Sequence, residues 1–126
     1  FVRGSVFKTQ LPKIYDYTCC VSGLRFFAPN AQLLDACHII PFSESQDDTA
    51  SNGIILEPTL HRAFDRGLIG IDENYKIHVS HILKSSHQRT SRIAEREGKI
   101  INLPDESGLR PDPAKLQRKF NSVFKN

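Results

Sequence analysis

Three groups of residues stand out by type and spacing: Asp35-Ala36-Cys37-His38-Ile39-Ile40-Pro41, then Asn52-Gly53, then Leu60-His61-Arg62-Ala63-Phe64-Asp65-Arg66-Gly67. Hydrolysis of a phosphodiester requires a base to activate water, a cation to stabilise charge on the phosphorane and the leaving oxygen, and a rigid support for both. A histidine at a strand end, here His38, can be that base. A histidine and a carboxylate four residues apart on a helix, here His61 and Asp65, share one face and can hold one hard or borderline metal between strand and helix. Asn52, between them, can hydrogen-bond the connecting backbone or the base. Taken singly each residue has a plainer reading: His38 as a hydrogen-bonded strand-end histidine, Asn52-Gly53 as a turn, His61 and Asp65 as a helix pair. It is the spacing of all four together that points to chemistry.

The elements that must position these residues can be read from periodicity and punctuation. Ser5 can cap a helix through Phe7, Leu11, Ile14 and Tyr15, with Pro12 expected to kink or restart it. Thr18 to Val21 and Leu33 to Ile40 are β-prone and read as a hairpin-like pair. Ser43 to Asn52 is a polar loop, and Gly53 to Leu56 a short apolar segment. Pro58 suits a first helical position and Gly67 the position just past the end, which brackets a two-turn helix. Leu68 to Ile71 and Lys76 to Ser80 flank Asp72-Glu73-Asn74 as a second hairpin. A basic helix is expected over about Ser85 to Glu97, and a short strand over Lys99 to Leu103. Asp112-Pro113 is a cap and first turn for a last helix, whose Leu116, Phe120, Val123 and Phe124 recur at helical spacing and read as core packing.

The stretch resembles the HNH endonuclease motif of the ββα-metal fold, with His38, Asn52 and His61 as its His, Asn and His, separated by 14 and then 9 positions. The patterns Cys20-Val21-Ser22-Gly23, Ala36 to Phe42, Asn52 to Leu56, His61 to Gly67, Ile101 to Pro104 and Asn121 to Phe124 are similar to the branch found as C-terminal cleavage domains of restriction endonucleases. The resemblance implies an α+β fold, a ββα-metal core over about residues 18–71 with an N-terminal helix and a C-terminal hairpin and helix extension. It also implies roles: His38 as general base, Asn52 bracing the loop and orienting His38, His61 binding one divalent ion, and Asp65 as a second ligand or a residue that fixes one. The ion expected is Mg²⁺, with Mn²⁺ or another transition metal as alternatives. Where many members carry Asp or His directly before the base, this chain has Cys37. A thiolate is a poor Mg²⁺ ligand, so either Asp35 substitutes or the site takes a softer metal. In a regular strand Asp35 projects opposite to His38, and a twist or bulge would be needed for both to share a metal.

Composition sets the wider bounds. The 126 residues suit one domain, and the 39% hydrophobic and 25% charged content describes a globular chain with no apolar run long enough for a membrane span. The chain begins at Phe1 and contains no Met, so a fragment of a longer protein, with a covalently linked specificity domain elsewhere, is the expectation. Three cysteines, two of them adjacent (Cys19 and Cys20), suggest a reducing, cytoplasmic setting and neither disulfides nor a structural zinc. The net charge is +3, and the excess lies wholly in residues 64–126, with Lys84, Arg89, Arg92, Arg96 and Lys99 close together. These, with Arg62 and Arg66, are the candidate contacts to a DNA backbone; the alternative for each is a solvated helix face. Arg3 is undecided. His78, His81 and His87 lie outside the motif. The expected activity is metal-dependent hydrolysis of DNA, as the cleavage module of a restriction or defence enzyme, with a homodimer one way to cut both strands. The alternatives are an inactive DNA-binding module of the same fold, suggested by Cys37, and a protein-interaction domain using the last helix.

Overall fold

The computed structural model describes residues 5–86 and 91–126. Arg3, His87 and Arg89 fall outside the described residues. The elements are α1 (Ser5–Ile14), β1 (Asp35–His38), α2 (Phe42–Ser45), β2 (Gly53–Leu56), α3 (Pro58–Asp65), β3 (Ile69–Ile71), β4 (Ile77–Val79), α4 (His81–Ser86), α5 (Ser91–Ala94) and α6 (Pro113–Val123). β1 pairs antiparallel with β2, with Asp35 opposite Leu56 and His38 opposite Gly53, and α3 follows at once to complete a ββα unit. β3 and β4 form a separate antiparallel pair, Ile69 opposite Val79. This is the α+β architecture expected from the sequence.

Two apolar layers hold the unit together. All four residues of β2 are buried, and Phe7 and Leu11 of α1 press on its first residue so closely that a Cβ on Gly53 would lie 2.6 Å from the Phe7 ring. Ile54, Ile55, Leu56, Phe64, Ile69, Ile71 and Leu116 continue the core from β2 through α3 to α6. Burial of each large aliphatic side chain contributes roughly 1.5–3 kcal/mol, which is what anchors these short strands.

Several expectations are corrected. Thr18 to Val21 is no strand: Thr18 makes one isolated bridge to Arg25, and Cys20 reaches the sheet through a single hydrogen bond from its N–H to the Ile55 carbonyl, 2.8 Å. The partner of β1 is β2, because pairing with the fully buried Gly53–Leu56 segment covers more apolar surface than the turn-rich 18–25 stretch would. Pro12 neither restarts nor ends α1, which runs through it to Ile14. The polar loop contains α2 and a 3₁₀ turn at Ala50–Asn52. In the basic region, where a helix over about Ser85 to Glu97 was expected, the described residues are helical in α4 to Ser86 and in α5 over Ser91–Ala94, and the helix ends short of Glu97. Lys99 to Leu103 contributes an isolated bridge, Lys76 with Ile100, and no strand.

α6 starts as the sequence predicts, with the Asp112 side chain accepting from the Ala114 N–H at 2.9 Å and Pro113 in the first turn. Its far end docks on the end of α3. Gly67 has φ +75°, and a Cβ there would sit 2.1 Å from the Val123 carbonyl oxygen, whereas Gly23, at φ +74°, has nothing within 4 Å. Gly67→Ala is expected to cost about 3 kcal/mol, left-handed strain plus displacement of α6, and Gly23→Ala about 1 kcal/mol from strain alone. Denaturant unfolding of the two variants checks this; equal losses would show that the α6 contact adds nothing.

Candidate active site

β1, α3 and α6 meet at a cleft of about 540 Å³ whose lining includes His38, His61, Asp65, Glu44, Arg118 and Lys119. His38 ends β1, where the strand gives way to the loop, so its ring leaves the sheet edge and enters the cleft. One ring face lies flat on Phe7, with centroids 4.2 Å apart and planes 1° from parallel, and Phe42 closes on it at 5.6 Å. Its Nε2 lies 2.6 Å from Asp48 Oδ1. The imidazole is thus fixed in plane by α1 and in rotation by the loop.

The loop itself is fixed by Asn52, which is 0% exposed. Its Oδ1 accepts from the Ile40 N–H at 2.9 Å, and its Nδ2 donates to the Ile40 and Asp47 carbonyls at 3.0 and 2.9 Å. A residue so enclosed cannot touch a substrate, and acts instead through the backbone on either side of the loop. From outside, Lys115 of α6 donates to Asp47 Oδ2 and Ser51 Oγ, both at 2.7 Å. Partial burial pushes the Asp47 carboxyl up, but the hydrogen bonds from Lys115 and Thr49 outweigh it and hold the group down to about 2. Because the folded value lies below the unfolded one, this stabilisation is complete above the usual carboxylate range and disappears as the pH falls towards 2. Lys115→Met should therefore raise the pH midpoint of acid unfolding and cost about 1 kcal/mol at neutral pH, read by circular dichroism. An unchanged acid midpoint would remove Lys115 from the brace.

α3 presents its histidine and carboxylate as the four-residue spacing requires. His61 Nε2 lies 3.2 Å from Asp65 Oδ2, and His61 Nδ1 lies 2.9 Å from Asp35 Oδ2. Asp35 reaches His61 from a strand in regular register, without a bulge, since its target is the helix and not His38. Asp65 raises the His61 pKa, partial burial opposes it, and Asp35 adds to the rise. The same His61 contact, opposed by burial and reinforced by Lys119, holds the Asp65 carboxyl down to about 2. Cys37 is 1% exposed and turned into the core, its thiol pushed up by burial, so it plays no part at the cleft. All three cysteines are free and buried.

α6 supplies side chains that nothing in the motif announces. Lys119 is only 8% exposed; its ammonium donates to Asp65 Oδ1 at 2.9 Å and lies 4.4 Å from the Phe64 ring centroid. Arg118 pairs with Glu44 at the rim. Sequence reasoning passed over these residues because a lysine on an amphipathic helix ordinarily reads as solvated. Of the arginines singled out from the sequence, the four that are described lie elsewhere. Arg62 and Arg66 line a depression on the other side of α3 with Leu68 and Leu83, and Arg92 lines a third beside Leu24. Arg96 donates through Nε to the Val21 carbonyl at 2.7 Å, a structural contact.

A family model described as HNH endonuclease matches residues 19–72, the span that contains His38, Asn52 and His61. Over residues 19–72 the chain is similar to HNH endonucleases. Within that span β1, β2 and α3 form the ββα unit. No curated protein matches the chain. Among solved structures it is similar to a modification-dependent TagI restriction endonuclease, with a TM-score of 0.69 at 18% identity over 98% of this chain. At that identity the likeness is one of fold. The chain spans 39% of the length of that enzyme. α6, which carries Lys115, Arg118 and Lys119, lies outside the HNH match but inside the structural one.

HNH nucleases generally use a divalent metal ion, and the residues of this domain suit one. His61 and Asp65 set an imidazole nitrogen beside a carboxylate at an open cleft, with side chains 30% and 50% exposed. That donor pair matches a hard or borderline ion that keeps water and phosphate oxygens in its remaining positions. Among the described residues no three His, Cys, Asp or Glu side chains form a closed cage. An ion that completes its shell from the substrate does not need one.

Proposed function

We propose that this HNH domain is a metal-dependent endonuclease hydrolysing DNA phosphodiester bonds, with His38 as the general base and the ion held by His61 and Asp65. The observation that carries the reading is the meeting, in one cleft, of a histidine held rigidly on three sides and a separate imidazole and carboxylate pair from α3. His38 takes a proton from water and delivers hydroxide to the phosphorus from the β1 side of the cleft. A divalent ion bound there would polarise the phosphoryl oxygens and stabilise charge on the leaving oxygen. Asp35, hydrogen-bonded to His61 Nδ1, orients that imidazole so that Nε2 faces Asp65. Lys119 holds the remaining Asp65 oxygen and places a second positive charge beside the phosphate.

The basic residues away from the cleft, Arg62, Arg66 and Arg92, would hold the flanking backbone without reading sequence. The TagI enzyme is a modification-dependent restriction endonuclease, and a domain spanning 39% of it fits the cleavage module of a restriction or defence enzyme, with recognition carried elsewhere. The test is nicking of supercoiled plasmid with Mg²⁺, with Mn²⁺ and with chelator. Metal-dependent nicking that disappears with chelator supports the reading. Salt-sensitive DNA binding without cleavage under either metal, in a folded protein, would replace it by a binding module.

A further inference from the structure

The loop between β1 and β2 carries one side chain that the HNH spacing does not mark. Asp48 lies 2.6 Å from His38 Nε2, and its carboxylate side chain is only 14% exposed. The loop is locked on both sides of the preceding residue. Asn52 donates to the Asp47 carbonyl at 2.9 Å, Lys115 donates to the Asp47 carboxylate at 2.7 Å, and that carboxylate also accepts from the Thr49 N–H at 2.9 Å. Asp48 therefore sits between two fixed points, Asp47 and Thr49, and is presented to the imidazole by a braced turn. A loop that merely connected two strands would not need a buried amide and a lysine from a distant helix to hold it.

We propose that Asp48 is a positioning residue that keeps His38 in the Nε2–H tautomer. The inference rests on the reading of His38 as the base. A neutral imidazole has one N–H and one lone pair, and a carboxylate facing Nε2 can only accept, so the proton resides on Nε2. Nδ1 then carries the lone pair, and among the described residues it has no hydrogen-bond partner. With Phe7 and Phe42 holding the ring at the cleft, Nδ1 is the nitrogen left to take a proton. The water O–H bond breaks, its proton passes to Nδ1, and the imidazolium that results has its positive charge against the Asp48 carboxylate. Glu44, Arg118, Asp65 and Lys119 line the same cleft, but none is hydrogen-bonded to the His38 ring. On this view the Asn52 and Lys115 contacts serve to aim Asp48.

Long-range proton–nitrogen correlation spectra of the ¹⁵N-labelled protein above pH 8 read the tautomer directly. The wild type should show a pyrrole-type Nε2 and a pyridine-type Nδ1 at His38, and Asp48→Ala should move both signals towards the average of two exchanging tautomers. Plasmid nicking by Asp48→Ala should fall on the order of 100-fold, with DNA affinity within about threefold of wild type. Asp48→Asn, nearly the same shape, serves where the alanine variant unfolds; an amide can pair with either tautomer, so it too should lose the single-tautomer spectrum. An Nδ1–H tautomer in the wild type, or unchanged spectra or unchanged nicking in a folded Asp48 variant, overturns the proposal. Failure of the base reading is separate: His38→Ala would then nick as fast as wild type.

Discussion

His38→Ala is expected to lower metal-dependent nicking by on the order of 1,000-fold, within the range for loss of a general base. Among the described residues the other titratable side chains of the cleft are engaged, Glu44 with Arg118. Asp65 carries two partners, His61 and Lys119, and its carboxyl is held down to about 2, too acidic to abstract a proton effectively near neutrality. His61 has a carboxylate at each ring nitrogen. The fold should survive, because the His38 side chain is 26% exposed and makes no backbone hydrogen bond. Stability loss should stay near 1 kcal/mol, from the stack on Phe7 and the contact with Asp48. Nicking assays beside thermal unfolding check both halves. A folded variant that cleaves within tenfold of wild type would remove His38 as the base.

Asn52→Ala should be damaging for a different reason. The Asn52 amide satisfies both backbone groups of Ile40, which is 5% exposed, and the carbonyl of Asp47. Its removal strands a buried N–H and frees the loop, at a cost of about 3 kcal/mol. His38 lies two residues before Ile40 and Asp48 one after Asp47, so the loss reaches the site through the backbone, and nicking should fall about 100-fold. Asn52→Asp separates the two functions of the amide: a carboxylate can still accept from the Ile40 N–H but cannot donate to the Ile40 or Asp47 carbonyls. Its unfolding free energy should fall at least as far as that of the alanine variant. Wild-type stability in either variant, measured in denaturant, would contradict the role of Asn52 as the clamp.

The local elements were legible where one residue type has one conformational meaning. Pro58 and Gly67 bracketed α3, Asp112-Pro113 opened α6, and Asp72-Glu73-Asn74 turned β3 into β4. Strand partners were not legible. Thr18 to Val21 and Gly53 to Leu56 are both short and apolar, and which of them pairs with β1 depends on how α1 and α3 cover the sheet, a long-range matter on which local propensity is silent. The cationic lining of the cleft was missed in the same way. Arg62 and Arg66 are nearer in sequence to His61, yet helix geometry sends them to another side of α3, while Lys119, more than fifty residues away, reaches Asp65.

By itself the amino-acid sequence determined the His38, Asn52 and His61 signature, which rests on residue type and spacing, and through the family that signature resembles it implied the fold class. The tertiary structure alone decided that Asp35 meets His61, that Asp48 faces His38, and that α6 delivers Lys115 and Lys119 to the site. The physical reason is that a side chain's direction follows from its own backbone, whereas its partner follows from how whole elements dock. Here that docking turns on close approaches at Gly53 and Gly67, where a single added carbon would hold two elements apart.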